Sequence, residues 1–240
     1  MDGDSFSLEL CDDISRIAAP DWDSIAGTQN PFVCHAFLAA LEAGKAVGGD
    51  TGWDPLHLVM RDDGGKLIAA MPHYLKHHSY GEYIFDHSWA NGFMRAGGQY
   101  YPKMLAAIPF TPATGPRLLT GTATGVRRQT LIRGLANGMA QYVDKLQLSS
   151  AHINFLPLDD ANALVDEGWL LRHSIQFHWH NDGYQSFDDF LASLSSRKRK
   201  NIRKERQSLL DAGVQMLSLT GAAIKSHHID DFYRFYMSTI

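Results

Sequence analysis

Cysteine is nearly missing from these 240 residues: there are two, Cys11 and Cys34, with no Cys-x-x-Cys spacing. That excludes a disulfide framework and fits a reducing compartment, so a cytoplasmic location is expected. Long apolar runs are missing as well. No stretch approaches the ~20 apolar residues that a membrane span needs, and the first ten residues open on acids where a signal peptide would carry Lys or Arg. Repeats and low-complexity tracts are absent. Against these absences, 45% hydrophobic, 20% charged and 11% aromatic residues are enough for a packed core and exclude a disordered chain.

The net charge of −4 hides a segregation. Residues 197–206 (RKRKNIRKER) carry seven basic residues and one acid, for +6, so the remainder sums to −10. Three readings stay open for the basic segment: a solvated helix face paired with the acidic body, a nuclear-localisation lookalike, or a polyanion contact such as tRNA through Arg197, Lys198, Arg199, Lys200, Arg203 and Lys204. No aromatic residue is interleaved there to stack bases.

Periodicity gives an alternating α/β order. Phe6, Leu8 and Leu10 alternate as a first strand; Asn30-Pro31 starts a helix that runs to Gly44; His57–Met60 and Leu67–Tyr74 flank the turn Asp62-Asp63-Gly64-Gly65 as a hairpin. A strand is expected at Glu82–Phe85, a loop at Gly92–Gly98, and an apolar strand at Met104–Phe110 that ends in the prolines at 109, 112 and 116. Gly121–Gly125 leads into a helix to about Lys145, His152–Leu156 returns as a strand, a short helix ends near Gly168, and Ile175, Phe177 and Trp179 alternate as a last strand. Beyond Asn181-Asp182-Gly183, one long helix over 187–211, a strand at Val214–Leu219 and a helix at His228–Ile240 are expected.

This order resembles the GNAT (acyl-CoA N-acyltransferase) fold. Gly168-Trp169 is similar to the Gly-aromatic pair that closes a GNAT helix, and Arg199, Asn201, Ile202 and Lys204, with Gly213-Val214 beyond, resemble the linker of Fem-type aminoacyltransferases. The segment YYPKMLAAIPFTPATGPRLL, 100–119, most resembles FemAB-like predicted N-acyltransferases of bacteria. The resemblance implies a layered α+β domain with a mixed, mostly antiparallel central sheet over 1–182, then a linker helix and the opening of a second GNAT-like repeat over 183–240. It also implies direct attack of an amine acceptor, small molecule or peptide, on an acyl group carried by acyl-CoA or aminoacyl-tRNA.

Candidate residues follow. Gly121, Thr122, Thr124, Gly125, Arg127 and Arg128 precede and enter a helix whose free N–H groups and dipole favour phosphate, which is where a GNAT protein would hold its donor. His178 and His180 share one strand face and suit a general base; no third ligand is fixed by spacing, so no metal is expected. Tyr101, beside the strand that lies along the thioester in GNAT enzymes, would protonate the leaving thiolate. Thr111, Thr114 and Arg117 sit on a rigid proline-rich loop placed to touch substrate. Two other classes stand beside the enzyme reading: a degenerate, non-catalytic GNAT-like binding module, and a nucleic-acid-binding protein acting through 197–206.

Overall fold

The computed structural model describes residues 5–239. The chain divides between Ile175 and Gln176 into two compact units.

The first unit is organised by one long hairpin. Strand β2 (Trp53–Pro55) runs through Leu56 into β3 (His57–Asp62), and β4 (Leu67–Met71) runs through Pro72 into β5 (His73–Lys76). One register runs from Met60 facing Ala69 through Leu58 facing Met71 and Pro55 facing Tyr74 to Trp53 facing Lys76, and it shifts by one residue near the turn, where Arg61 faces Leu67. Pro72 donates no ladder bond, which interrupts the strand, and the Leu56 N–H bond to the His73 carbonyl at 2.9 Å carries the pairing past it. The turn is held by Asp62 Oδ1, which accepts from the N–H groups of Gly64 (3.0 Å) and Lys66 (2.9 Å). β1 (Phe6–Cys11) adds antiparallel to β3, β6 (Lys103–Ala106) antiparallel to β5, and β7 (Ala151–Ile153) parallel to β6. The ladders form two sheets, β1-β3-β4 and β2-β5-β6-β7, which follow one another along the hairpin and are together mixed and mostly antiparallel, as in an α+β fold.

Both faces are covered. Helices α1 (Ala19–Ala26) and α2 (His35–Ala43) bring Trp22 and Leu38 against Val59 and Ala70. The other face, with Leu58, Met60, Met71 and Met104, receives Leu131, Leu135 and Met139 of α4 (Gly125–Lys145), on which α5 (Leu158–Asp166) packs. A Cβ at Gly138 would lie 2.5 Å from Leu8 Cδ1, so a bare backbone at that position lets α4 approach the sheet closely. The short α3 (His87–Arg95) lies between β5 and β6 in the chain.

The second unit holds α6 (Phe187–Ser193), α7 (Ser196–Asp211) and α8 (Ser226–Met237). Ser186 and Asp189 form a capping box at the start of α6. The single helix expected over 187–211 is two, because Leu194 is extended (φ −85°, ψ 158°) and Ser195 takes the capping position of α7.

Other expectations are corrected. Ile175–Trp179 and Val214–Leu219 form no strand: alternation builds a strand only where a neighbouring edge supplies ladder bonds, and Phe177 is 97% exposed. Glu82–Phe85 is a loop, with Tyr83 (φ 60°) and Phe85 (φ 49°) left-handed, and the expected loop at 92–98 is largely helix α3. The strand expected to reach Phe110 stops at Ala106. Ile240 and the acidic opening at 1–4 lie outside the described residues. No described helix is long and apolar enough to cross a membrane.

Gly138→Val, which adds bulk and a β-branch where α4 meets Leu8, should lower the unfolding free energy by about 1–3 kcal/mol; the midpoint of a urea titration measures it.

Candidate active site

Three side chains line up across the sheet on the α1/α2 face, because directly paired residues share a face. Trp53 of β2 faces Lys76 of β5, and Lys76 faces Lys103 of β6. Both lysines are sealed from solvent. Two ammonium groups on neighbouring strands repel, and the structure resolves the conflict by treating them differently.

Lys103 receives counter-charges. Its Nζ donates to Asp86 Oδ2 at 2.7 Å, Glu82 Oε2 at 2.9 Å and Ser79 Oγ at 2.9 Å. Glu82 and Asp86 are themselves buried, and Tyr100 donates to Asp86 Oδ2 at 2.8 Å. Burial works to raise the Asp86 carboxyl, but the bonds from Lys103, Ser79 and Tyr100 outweigh it and hold the group at about 2. For Glu82 burial wins over Lys103 and pushes the carboxyl up. Burial, and then the Asp86 charge, push the Tyr100 phenol up.

Lys76 receives no carboxylate within ion-pair distance among the described residues. Its Nζ sits 3.7 Å from the Trp53 ring centroid and makes one long bond, 3.4 Å, to the Tyr80 carbonyl. Burial, outweighing the attraction of Glu82 and reinforced by Lys103, pulls it from 10.5 to about 7.

The cluster reaches the surface through Tyr101. Ser79 Oγ lies 2.8 Å from the Tyr101 hydroxyl, so a hydrogen-bonded line runs from Asp86 and Glu82 through Lys103 and Ser79 to a half-buried phenol. The segment carrying Ser79, Glu82 and Asp86 is clamped at Gly81, whose carbonyl accepts from Phe110 N–H at 3.2 Å. A Cβ there would lie 2.7 Å from the Phe110 ring, and φ is +79°, so glycine is required.

Phe110 belongs to the proline-rich loop, whose origin is a break in the strand line. His73 faces Ala106, so an unbroken ladder would set Ala70 against Pro109; Ala70 faces Leu119, and ten residues are looped out. Thr114 is exposed and Thr111 half-buried on this loop. Arg117 turns inward: its guanidinium is buried and donates to the Ala113 and Pro116 carbonyls of its own loop, and burial pulls it to about 10. Beyond it, Gly121, Thr122, Thr124 and Gly125 are exposed at the N-terminus of α4, where Thr124 makes no side-chain cap. Arg128 pairs with buried Asp160 of α5, and Arg127 is half-buried.

Residues 13–240 match the model of the FemAB-like family, described as peptidoglycan biosynthesis and recognition. The chain belongs to the FemAB-like family. Its members are GNAT-related acyltransferases, which gives this FemAB-like chain a transferase-like role. No curated protein and no solved structure matches it.

His178 and His180 of this FemAB-like chain lie in the second unit, both exposed with rings 6.4 Å apart, and His178 Nε2 contacts Gln176 Oε1 at 3.2 Å. In the same unit Arg203 pairs with Asp188, and Arg206 sits over the Phe187 ring. Among the described residues no group of three His, Cys, Asp or Glu side chains converges as metal ligands would. The structure places Tyr101, named from the sequence, beside Ser79, Glu82, Asp86 and Lys103, which sequence reasoning did not bring together. The available signal was a lysine at the head of an otherwise apolar strand, YYPKMLAAI, with two acids four residues apart upstream.

The two lysines should respond oppositely to neutralisation. Lys103→Met leaves two buried carboxylates unpaired and should cost about 3–5 kcal/mol. Lys76 holds its proton less tightly when folded, so between about pH 7 and 10.5 the unfolded chain binds the extra proton and stability rises with pH. Lys76→Met should therefore raise the melting temperature, with a gain that is largest at pH 6 and shrinks toward pH 10 in a series of thermal melts.

Proposed function

We propose that this FemAB-like chain transfers an acyl or aminoacyl group, from acyl-CoA or aminoacyl-tRNA, onto the amine of a peptidoglycan-type acceptor, and that Tyr101 is the acid of the reaction. The observation that carries the reading is the hydrogen-bonded line from the buried carboxylates through Lys103 and Ser79 to Tyr101. The amine nitrogen attacks the acyl carbonyl carbon, the new C–N bond forms, and the C–S or C–O bond to the donor breaks. Tyr101 gives its proton to the departing sulfur or oxygen, the proton that the attacking nitrogen sheds restores the Tyr101 hydroxyl, and Ser79, fixed by the Lys103 ammonium, is placed to hold the phenolate in between. The exposed Gly121–Gly125 loop at the start of α4 supplies N–H groups for the donor's phosphate. Arg127 stands beside it, and Arg128 serves mainly to hold α5 through Asp160.

A second reading concerns α7. Of the seven basic residues at 197–206, only Arg203 forms an ion pair among the described residues, which supports a polyanion contact such as the acceptor stem of a tRNA donor.

Tyr101→Phe should lower kcat by about 10²–10⁴-fold with KM nearly unchanged, read in a transfer assay with acyl-CoA and aminoacyl-tRNA donors in turn; a wild-type chain that transfers from neither overturns the reading. If α7 holds tRNA, the logarithm of affinity should fall linearly with the logarithm of salt concentration, and Lys198→Glu/Arg199→Glu should flatten that slope. Affinity that is indifferent to salt removes the tRNA contact.

A further inference from the structure

The strand β7 carries a pair of side chains that the transfer route leaves unused. Ser150 precedes the strand and His152 is its second residue; two apart in extended chain, they project from one face, and Ser150 Oγ lies 2.8 Å from His152 Nε2. Both are half-buried, so the pair can be reached from solvent. The neighbouring Ser149 is committed elsewhere: its hydroxyl bonds the carbonyls of Tyr100 and Pro102, and its Oγ stands farther from Ser150, at 3.2 Å. The imidazole is thus the nearest acceptor for the Ser150 proton.

A serine gains nucleophilic strength when an uncharged imidazole takes its proton as it attacks. The surroundings keep this ring uncharged. Burial, then the charges of Lys103 from β6 and Arg172, outweigh the opposing pull of Asp86 and bring His152 to about 4; the Tyr100 ring packs at 6.2 Å. A donor for a developing oxyanion is also at hand. Met104 N–H donates to the Ser150 carbonyl at 2.9 Å and Asn154 N–H to the Ala106 carbonyl at 3.0 Å. Alternate residues of this stretch therefore turn their backbone groups to β6. The N–H of Ala151, the residue after the serine, turns to the opposite edge, where no described strand pairs with β7.

We propose that Ser150 is a nucleophile served by His152, which takes an acyl group from an activated ester or thioester onto its Oγ. The Oγ–carbon bond forms as the bond from the carbonyl carbon to the leaving oxygen or sulfur breaks. The proton passes from Oγ to Nε2 and on to the leaving group. Water or an amine then releases the acyl group as carboxylic acid or amide by the same proton route.

The test treats the full chain separately with 4-nitrophenyl acetate and with a fluorophosphonate, and maps adducts by peptide mass. One acetyl or phosphonyl group per chain on Ser150 is expected, absent from Ser150→Ala and at least tenfold slower to form in His152→Gln. Because His152 is already uncharged, the wild-type labelling rate should stay flat from pH 5.5 to 8, whereas an ordinary histidine would make it rise through about 6.5. A wild-type chain that is folded by circular dichroism yet carries no adduct on Ser150 overturns the proposal, as does labelling that His152→Gln leaves unchanged. The assay needs neither acyl-CoA, aminoacyl-tRNA nor acceptor amine, so its outcome is independent of the transfer reading.

Discussion

An ammonium group shut away from water at the head of β6 dictates much of what surrounds it. An ion in that position costs several kcal/mol unless charge and hydrogen bonds are returned to it, and β6 itself offers only apolar neighbours, Met104 to Ile108. The compensation comes from the chain between β5 and β6, which folds back over the sheet to deliver Ser79, Glu82 and Asp86 to one nitrogen. That requirement explains local features that otherwise look costly. Asp86 stands at the N-cap of α3 but makes no capping bond, because its carboxylate is drawn to Lys103 and Tyr100. Tyr83 and Phe85 adopt left-handed backbone that bulky residues rarely take, the conformation that turns Glu82 and Asp86 inward on either side of them.

The same ion also sets the state of its neighbour. With both carboxylates bonded to Lys103, Lys76 is left with a ring face and one carbonyl, and burial pulls it down to about 7. The sheet thus carries, in adjacent register positions, one lysine bonded to two carboxylates and one whose proton burial loosens, a difference produced by a loop outside the sheet.

Sequence patterning reached the elements whose reasons are local. Asp62 organises the hairpin turn as read, but the helix expected from Asn30 to Gly44 is broken: Asn30 caps only the short turn Pro31–Val33, bonding Phe32 N–H through Oδ1, and extended Cys34 separates that turn from α2. The helix after Gly121 and the hairpin around Asp62–Gly65 lie where periodicity and turn chemistry put them. Failures came where a partner decides. Ile175–Trp179 alternates like a strand yet forms no ladder among the described residues, and Glu82–Phe85 looks like a strand yet serves a charge cluster. Tyr101 was picked out through the resemblance to GNAT enzymes; its connection to Ser79, twenty-two residues earlier, was not legible, because nothing local records which residues a loop returns to the sheet. Arg117 shows the converse: a cation on a rigid loop reads as a substrate contact, while its bonds go to that loop's own carbonyls.

The placement of the two halves of the proposed transfer site bears on the donor. Tyr101 precedes β6, whereas the loop at Gly121–Gly125, proposed to take the donor's phosphate, follows the excursion that leaves the far end of the same strand. The four residues of β6 alone set these ends roughly 13 Å apart at 3.3 Å per residue. A donor that puts its phosphate at α4 and its leaving atom at Tyr101 must therefore join them by an extended arm lying along the strand. Under the proposed transfer, a thioester on the long pantetheine arm of coenzyme A would use that arm to span the gap. An aminoacyl ester sits on the terminal ribose of tRNA, close to its own phosphate, and spans it only if the α4 loop engages a phosphate farther up the strand of RNA.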